Sequence, residues 1–190
     1  MMRYSIVLLL GTIGLLQGCV APVIAAGVGA GMMVSSSDRR SAGAMVEDDT
    51  IESKAQKRID EKYKDTAHAS VTAYNRFALV TGTASNETIK MDIERIVGAI
   101  PNVKGIANEL VVGTPASIGV NTSDTRITGN VKMRFMKSSA FKADHVKVVT
   151  ESGVVYLMGL VTRAEADAAS EIASTTANVQ KVVRVFEYID

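Results

Sequence analysis

Positions 76 or 77 apart carry matching residues along most of this chain, and a chain that repeats itself folds as repeated units. Ile51, Ala55 and Ile59 match Ile127, Val131 and Phe135 at an offset of 76. His68, Val71 and Gly82 match His145, Val148 and Gly159 at 77, and Asn102-Val103 matches Asn178-Val179 at 76 again. An offset held across three separate stretches marks a duplication, with units at 47–113 and 123–190 joined by a short break at 114–122. Units of this size lie near the lower limit for stability without disulfides, so some packing between them is expected.

Both units follow one grammar. Asp49-Thr50 and Asp124-Thr125 provide N-caps for a helix with apolar residues at i, i+4 and i+8. A strand at 69–73 or 146–150, a turn at Asn75-Arg76 or Ser152-Gly153, and a second strand at 77–83 or 154–161 read as a hairpin. A second helix at 86–99 or 163–176 closes on Pro101-Asn102 or Ala177-Asn178, and a last strand follows at 106–112 or 182–189. The order is αββαβ. The fold class is α+β: two tandem domains, each a three-stranded mixed sheet covered on one face by two helices.

The start of the chain has a different character. Arg3, an apolar run from Ile6 to Leu16 and small residues before Cys19 have the pattern of a secretory signal. Residues 1–18 are therefore expected to be a signal peptide, and 19–46, rich in Gly, Ala and Ser, a flexible linker. A membrane span is the competing reading, because no charge lies between Arg3 and Asp38, but Gly11, Gly14, Gly18, Gly27, Gly29 and Gly31 weaken any helix there. Leu16-Gln17-Gly18-Cys19 resembles the bacterial lipobox, and Cys19 is the only cysteine of the chain. That resemblance implies a diacylglyceryl group and fatty acyl chains such as palmitate on Cys19. Val20 rather than Asp after it implies the outer membrane, facing the periplasm.

Chemistry is sparse. One Cys and two His cannot complete a Cys/His zinc site, and a net charge of +1 gives no footprint for nucleic acid. No Gly-x-Ser-x-Gly, His-Glu-x-x-His or phosphate loop occurs, so no catalytic residue, metal or cofactor is expected, and a hydrolase lacks any nucleophile–base pair. His68 and His145 share a repeat position, which reads as a shared surface position. Glu47-Asp48-Asp49 and Asp60-Glu61 read as solvated charges at helix ends.

The opening helices of the two units diverge on the face opposite their core stripe. The second places Arg126, Gly129, Met133, Met136 and Lys137 there, where the first has Thr50, Ser53, Lys57, Asp60 and Glu61. Residues 47–65 carry seven acids and five bases, whereas 123–142 carry one acid and five bases. Flexible methionines beside cations suit an anionic lipid surface, the methyl groups meeting acyl chains and the cations headgroups. The competing reading packs Met133 and Met136 against the first unit.

The αββαβ units resemble the BON domain, a periplasmic module. Its best marker is a strand carrying a spaced Gly, here Val155-x-Leu157-x-Gly159-x-Val161, with Ala78-x-Val80-x-Gly82-x-Ala84 in the first copy. Gly82 and Gly159 themselves read as structural, closing a strand or allowing close backbone approach. With lipobox and linker the whole chain resembles the dual-BON outer-membrane lipoproteins. That resemblance implies binding of anionic phospholipid, a place at division sites alongside envelope or division proteins, and a part in envelope integrity. Where that group carries a bulky aromatic this chain has Arg126, so headgroup attraction rather than insertion is expected there. The alternative is a protein-interaction scaffold, using the same Met/basic face or the sheet faces bearing Tyr156 and Met158.

Overall fold

The computed structural model describes residues 38–113 and 122–190; the expected signal peptide, Cys19, most of the expected linker and residues 114–121 between the units lie outside them. In the first unit α1 (Ala42–Tyr63) precedes the hairpin β1 (Ala67–Tyr74) and β2 (Phe77–Ala84), then α2 (Glu87–Gly98), β3 (Gly105–Asn108) and β4 (Val111–Val112). In the second, α3 (Thr122–Met136) and a 3₁₀ turn (Ala143–His145) precede β5 (Val146–Glu151), β6 (Val154–Val161), α4 (Arg163–Ser174) and β7 (Lys181–Tyr188). The central strands β2 and β6 pair antiparallel with β1 and β5 and parallel with β3 and β7, giving two mixed sheets. The expected α+β class and αββαβ order are what the fold has.

The apolar stripes explain the helices. Ile51, Ala55 and Ile59 of α1 join Ile93 and Val97 of α2 over one face of the first sheet, while Ile127, Val131 and Phe135 of α3 join Ala166, Ala169 and Ala173 of α4 over the second. Asn86 Oδ1 accepts from the Ile89 N–H, and Thr162 with Glu165 forms a reciprocal capping box at α4. The helix α1 starts earlier than its apolar period suggests. It is capped at Ser41, whose Oγ accepts from the Ala44 N–H, so the last residues of the expected 19–46 linker are helical. The N-cap hydroxyl starts a run in which Ala42, Ala44 and Met45 are good helix formers and only Gly43 is weak.

Both hairpins turn on two residues with positive φ, Asn75 and Arg76 (51° and 68°) and Ser152 and Gly153 (51° and 77°), as tight hairpins of right-handed twist require. Each turn is held by a carboxylate from the preceding helix. Asp48 accepts from the Asn75 and Arg76 amides at 2.8 and 2.6 Å, and Asp124 from Ser152 and Gly153 at 2.8 and 2.9 Å. Asp48 is buried and also pairs with Arg40, so it is not the solvated helix-end charge its acidic neighbours suggest.

The last strand of the first unit is not continuous over 106–112. Asn108 Nδ2 donates to the Lys90 carbonyl and its Oδ1 accepts from the Leu110 amide, turning Leu110 into the core and dividing β3 from β4.

The sheet faces that carry no helix meet each other. Tyr74 and Leu79 of the first sheet pack with Tyr156, Met158 and Leu160 of the second, with Ala107, Val183 and Val185 at the margin. Burial raises the Tyr74 and Tyr156 hydroxyls to about 12. Polar bonds cross the same seam: Lys147 Nζ reaches Glu52 at 2.9 Å and the Ala73 carbonyl, and Asn75 Nδ2 reaches Glu187 at 2.7 Å. Tyr156 and Met158 are therefore unavailable to an outside partner, which removes the sheet-face version of the scaffold reading.

Candidate functional site

The five residues expected to form a docking face lie together on the outer side of α3. Arg126, Gly129 and Lys137 are exposed, and Met133 and Met136 are 48% and 69% exposed. That accessibility runs against packing of these methionines on the first unit. The periodicity explains the arrangement, because Ile127, Val131 and Phe135 occupy the core side and fix which side faces out. Phe135 and Phe141 make an edge-to-face pair at 5.0 Å that seats the end of the helix. Beside them an open depression of about 580 Å³ is lined by Phe135, Met136, Phe141 and Lys142 among others.

The five bases of 123–142 divide into two groups. Arg134 is spent on structure: its guanidinium donates to the Ile172 carbonyl at 2.6 Å and to Thr176 and Thr175, capping the end of α4. Arg126, Lys132, Lys137 and Lys142 form no ion pair among the described residues. The outer side of α1 behaves differently, with Lys57 paired to Glu61, Lys62 to Asp92, and Gln56 donating to Asp60. Acids outnumber bases over 47–65, with Lys57 and Lys62 paired and Lys54 and Arg58 exposed, whereas residues 123–142 leave four cations facing solvent beside one acid of their helix, Asp124.

His68 and His145 part company. His145 is buried, with Nδ1 3.4 Å from Glu165, whereas His68 is half-buried, so the shared surface position expected of them is not what the fold makes. Glu165 is the hub of that corner: Arg39 grips both its oxygens at 2.6 and 2.8 Å and also donates to the Leu160 carbonyl. The Arg39 guanidinium, with help from the Thr162 amide, holds the Glu165 carboxyl down at about 2. Nothing in the sequence pointed to Arg39, because its partner lies 126 residues away.

Elsewhere a cleft of about 420 Å³ opens beside the sheet seam, lined by Tyr74, Phe77, Val183 and Val185, with Lys104 and Glu109. Among the described residues no group of three or more His, Cys, Asp or Glu could hold a metal, and no helix is long and apolar enough to cross a membrane.

The strand glycines supply the deciding detail. A Cβ at Gly82, whose φ is +113°, would collide with the His68 carbonyl oxygen, and one at Gly159 with that of His145. Each unit thus needs its spaced glycine where the hairpin strands approach most closely. The BON domain pattern matches residues 47–114 and 123–190. This chain belongs to the BON-domain family. It is 34% identical over 188 residues to the Outer membrane lipoprotein DolP of Haemophilus influenzae, covering 98% of this chain and 96% of that one. It is 34% identical over 154 residues to a 21 kDa hemolysin of Actinobacillus pleuropneumoniae, covering 80% and 79%. To the Osmotically-inducible protein Y of Escherichia coli it is 25% identical over 157 residues, covering 80% and 78%. The chain is a dual-BON protein similar to DolP along nearly its whole length.

Proposed function

We propose that this dual-BON protein is an outer-membrane lipoprotein, anchored through Cys19 and facing the periplasm, whose second BON domain docks onto anionic phospholipid. Arg126, Gly129, Met133, Met136 and Lys137 form the docking face, and the bound protein supports envelope integrity at division sites. The observation that carries the reading is the asymmetry between the two opening helices: α3 and the residues just after it present exposed methionines among unpaired cations, whereas the matching positions of α1 are Thr50, Ser53, Lys57, Asp60 and Glu61, with acids outnumbering bases over 47–65. Each cation near an anionic surface contributes about 1 kcal/mol, enough in combination to orient a tethered body. Similarity to a relative named as an outer-membrane lipoprotein supports the compartment. The 19 residue-to-residue steps from Cys19 to Asp38 can reach at most about 65 Å, so an anchored domain stays within range of the surface.

Sedimentation with phosphatidylglycerol vesicles tests this on the unlipidated chain from Val20 onward, which keeps every described residue and both cores. Arg126→Glu with Lys137→Glu should abolish binding most completely at low ionic strength. Met133→Gln with Met136→Gln should weaken it with little salt dependence, while both variants melt within about 0.5 kcal/mol of wild type, as exposed positions should. Wild-type binding by both variants would refute the docking face. In cells, Cys19→Ser should release the protein from the membrane fraction.

A further inference from the structure

The duplication provides an internal control for a second feature of α3. In the first unit the outer edge of β1 is sealed by side chains from α1. Gln56 Oε1 accepts from the Val71 amide, Gln56 Nε2 donates to the Ala69 carbonyl at 2.9 Å, and Glu52 accepts from the Ala73 amide at 2.7 Å. The second unit has the same strand register, Val148 opposite Leu157 where the first has Val71 opposite Val80. The Val148 and Thr150 amides therefore point outward from β5 as Val71 and Ala73 do from β1.

Their capping residues have changed. Thr128 stands where Glu52 stood and Lys132 where Gln56 stood. An ammonium has three donors and no acceptor. The Thr128 hydroxyl is engaged with the Thr150 hydroxyl at 2.7 Å. Among the described residues neither outward amide has an acceptor, although Val148 is buried and Thr150 half-buried. By position, two outward amides and a lysine thus stand on the β5 edge where the first unit keeps a carboxylate and an amide oxygen. Its chemistry is that of an anion site. The edge is also approachable: a Cβ on neighbouring Gly129 would meet nothing within 4 Å, so packing does not demand this glycine, which weakens the helix by about 1 kcal/mol relative to Ala.

We infer that the β5 edge, through the Val148 and Thr150 amides with Lys132, receives a phosphate oxygen of an anionic phospholipid. Thr128, Lys132 and Met136 lie on one i, i+4 row of α3, so the edge opens directly onto the methionines of the docking face. The choice of a lipid phosphate rests on the membrane reading above; the donor set itself does not.

The test transplants the first unit's own cap. Thr128→Glu with Lys132→Gln should seal the β5 edge, so the fold should melt no lower than wild type while phosphatidylglycerol vesicle binding falls about tenfold, the loss of one charge-assisted hydrogen bond. Lys181→Glu, an exposed site on β7 with the same change of two charge units, should keep binding within about threefold. The Val148 and Thr150 amide resonances should shift with short-chain phosphatidylglycerol and not with equimolar inorganic phosphate, which lacks the neighbouring methionine contacts. Vesicle binding by the transplant equal to wild type overturns the proposal and means solvent alone caps the edge. If Arg126→Glu with Lys137→Glu still abolishes binding in that case, the docking face stands without the edge. If neither variant changes binding, both fall.

Discussion

Single side chains settle the corners of this molecule. Asp48 serves two turn amides and Arg40 from a site 2% exposed, whereas its counterpart Asp124 serves two amides from a half-buried one. Removing a buried acceptor strands every donor it served. Asp48→Ala should therefore destabilise the protein by about 3 kcal/mol and Asp124→Ala by about 1–2 kcal/mol, measured by urea denaturation. Glu165 gives a pH signature. Its carboxyl sits at about 2 in the folded chain against an ordinary 4.5, so its contribution is fully present above about 4.5 and is lost as pH falls toward 2. Acid unfolding monitored by circular dichroism should show that slope, and Arg39→Ala or Glu165→Gln should flatten it.

Among the elements, the hairpins are built most tightly. β1 and β5 pass so close to Gly82 and Gly159 that a methyl at either glycine meets backbone rather than a movable side chain. Gly159→Ala should destabilise the fold by more than about 2 kcal/mol, and Gly82→Ala by at least as much because its φ is also left-handed. Thermal melts of the two variants measure this. The helices show how elements with one core pattern acquire different outer faces. α1 and α3 share their stripe, and selection on the stripe leaves the solvent side free to become net acidic in one and cationic in the other.

For the whole molecule the seam between the sheets governs cooperativity. Leu79, Tyr156 and Met158 are buried there on faces no helix covers, so neither unit completes its burial alone. Unfolding should be a single transition reported equally by both units. Leu79→Asn should lower the midpoint of that one transition by about 3 kcal/mol rather than split it. Two separate transitions in the wild-type chain, seen by calorimetry, would show instead that the units fold independently.

Much of this was legible in the residues. The offset of 76–77, the i, i+4, i+8 stripes and the hairpin turns are local patterns, and they gave the order αββαβ and the outward side of α3 because helix and strand periods are set by backbone geometry alone. The run Val154–Val161 is apolar on both alternating faces, a sign that both sides of β6 are covered, but a period cannot say by what. Tertiary structure decided that the second cover is the other repeat, that Asp48 turns inward, that His145 is buried while His68 is not, and that Arg39 reaches Glu165. Each of these depends on a buried polar or apolar group meeting a partner distant in sequence. Burial forces such pairings, and only the folded chain shows which pairs are within reach.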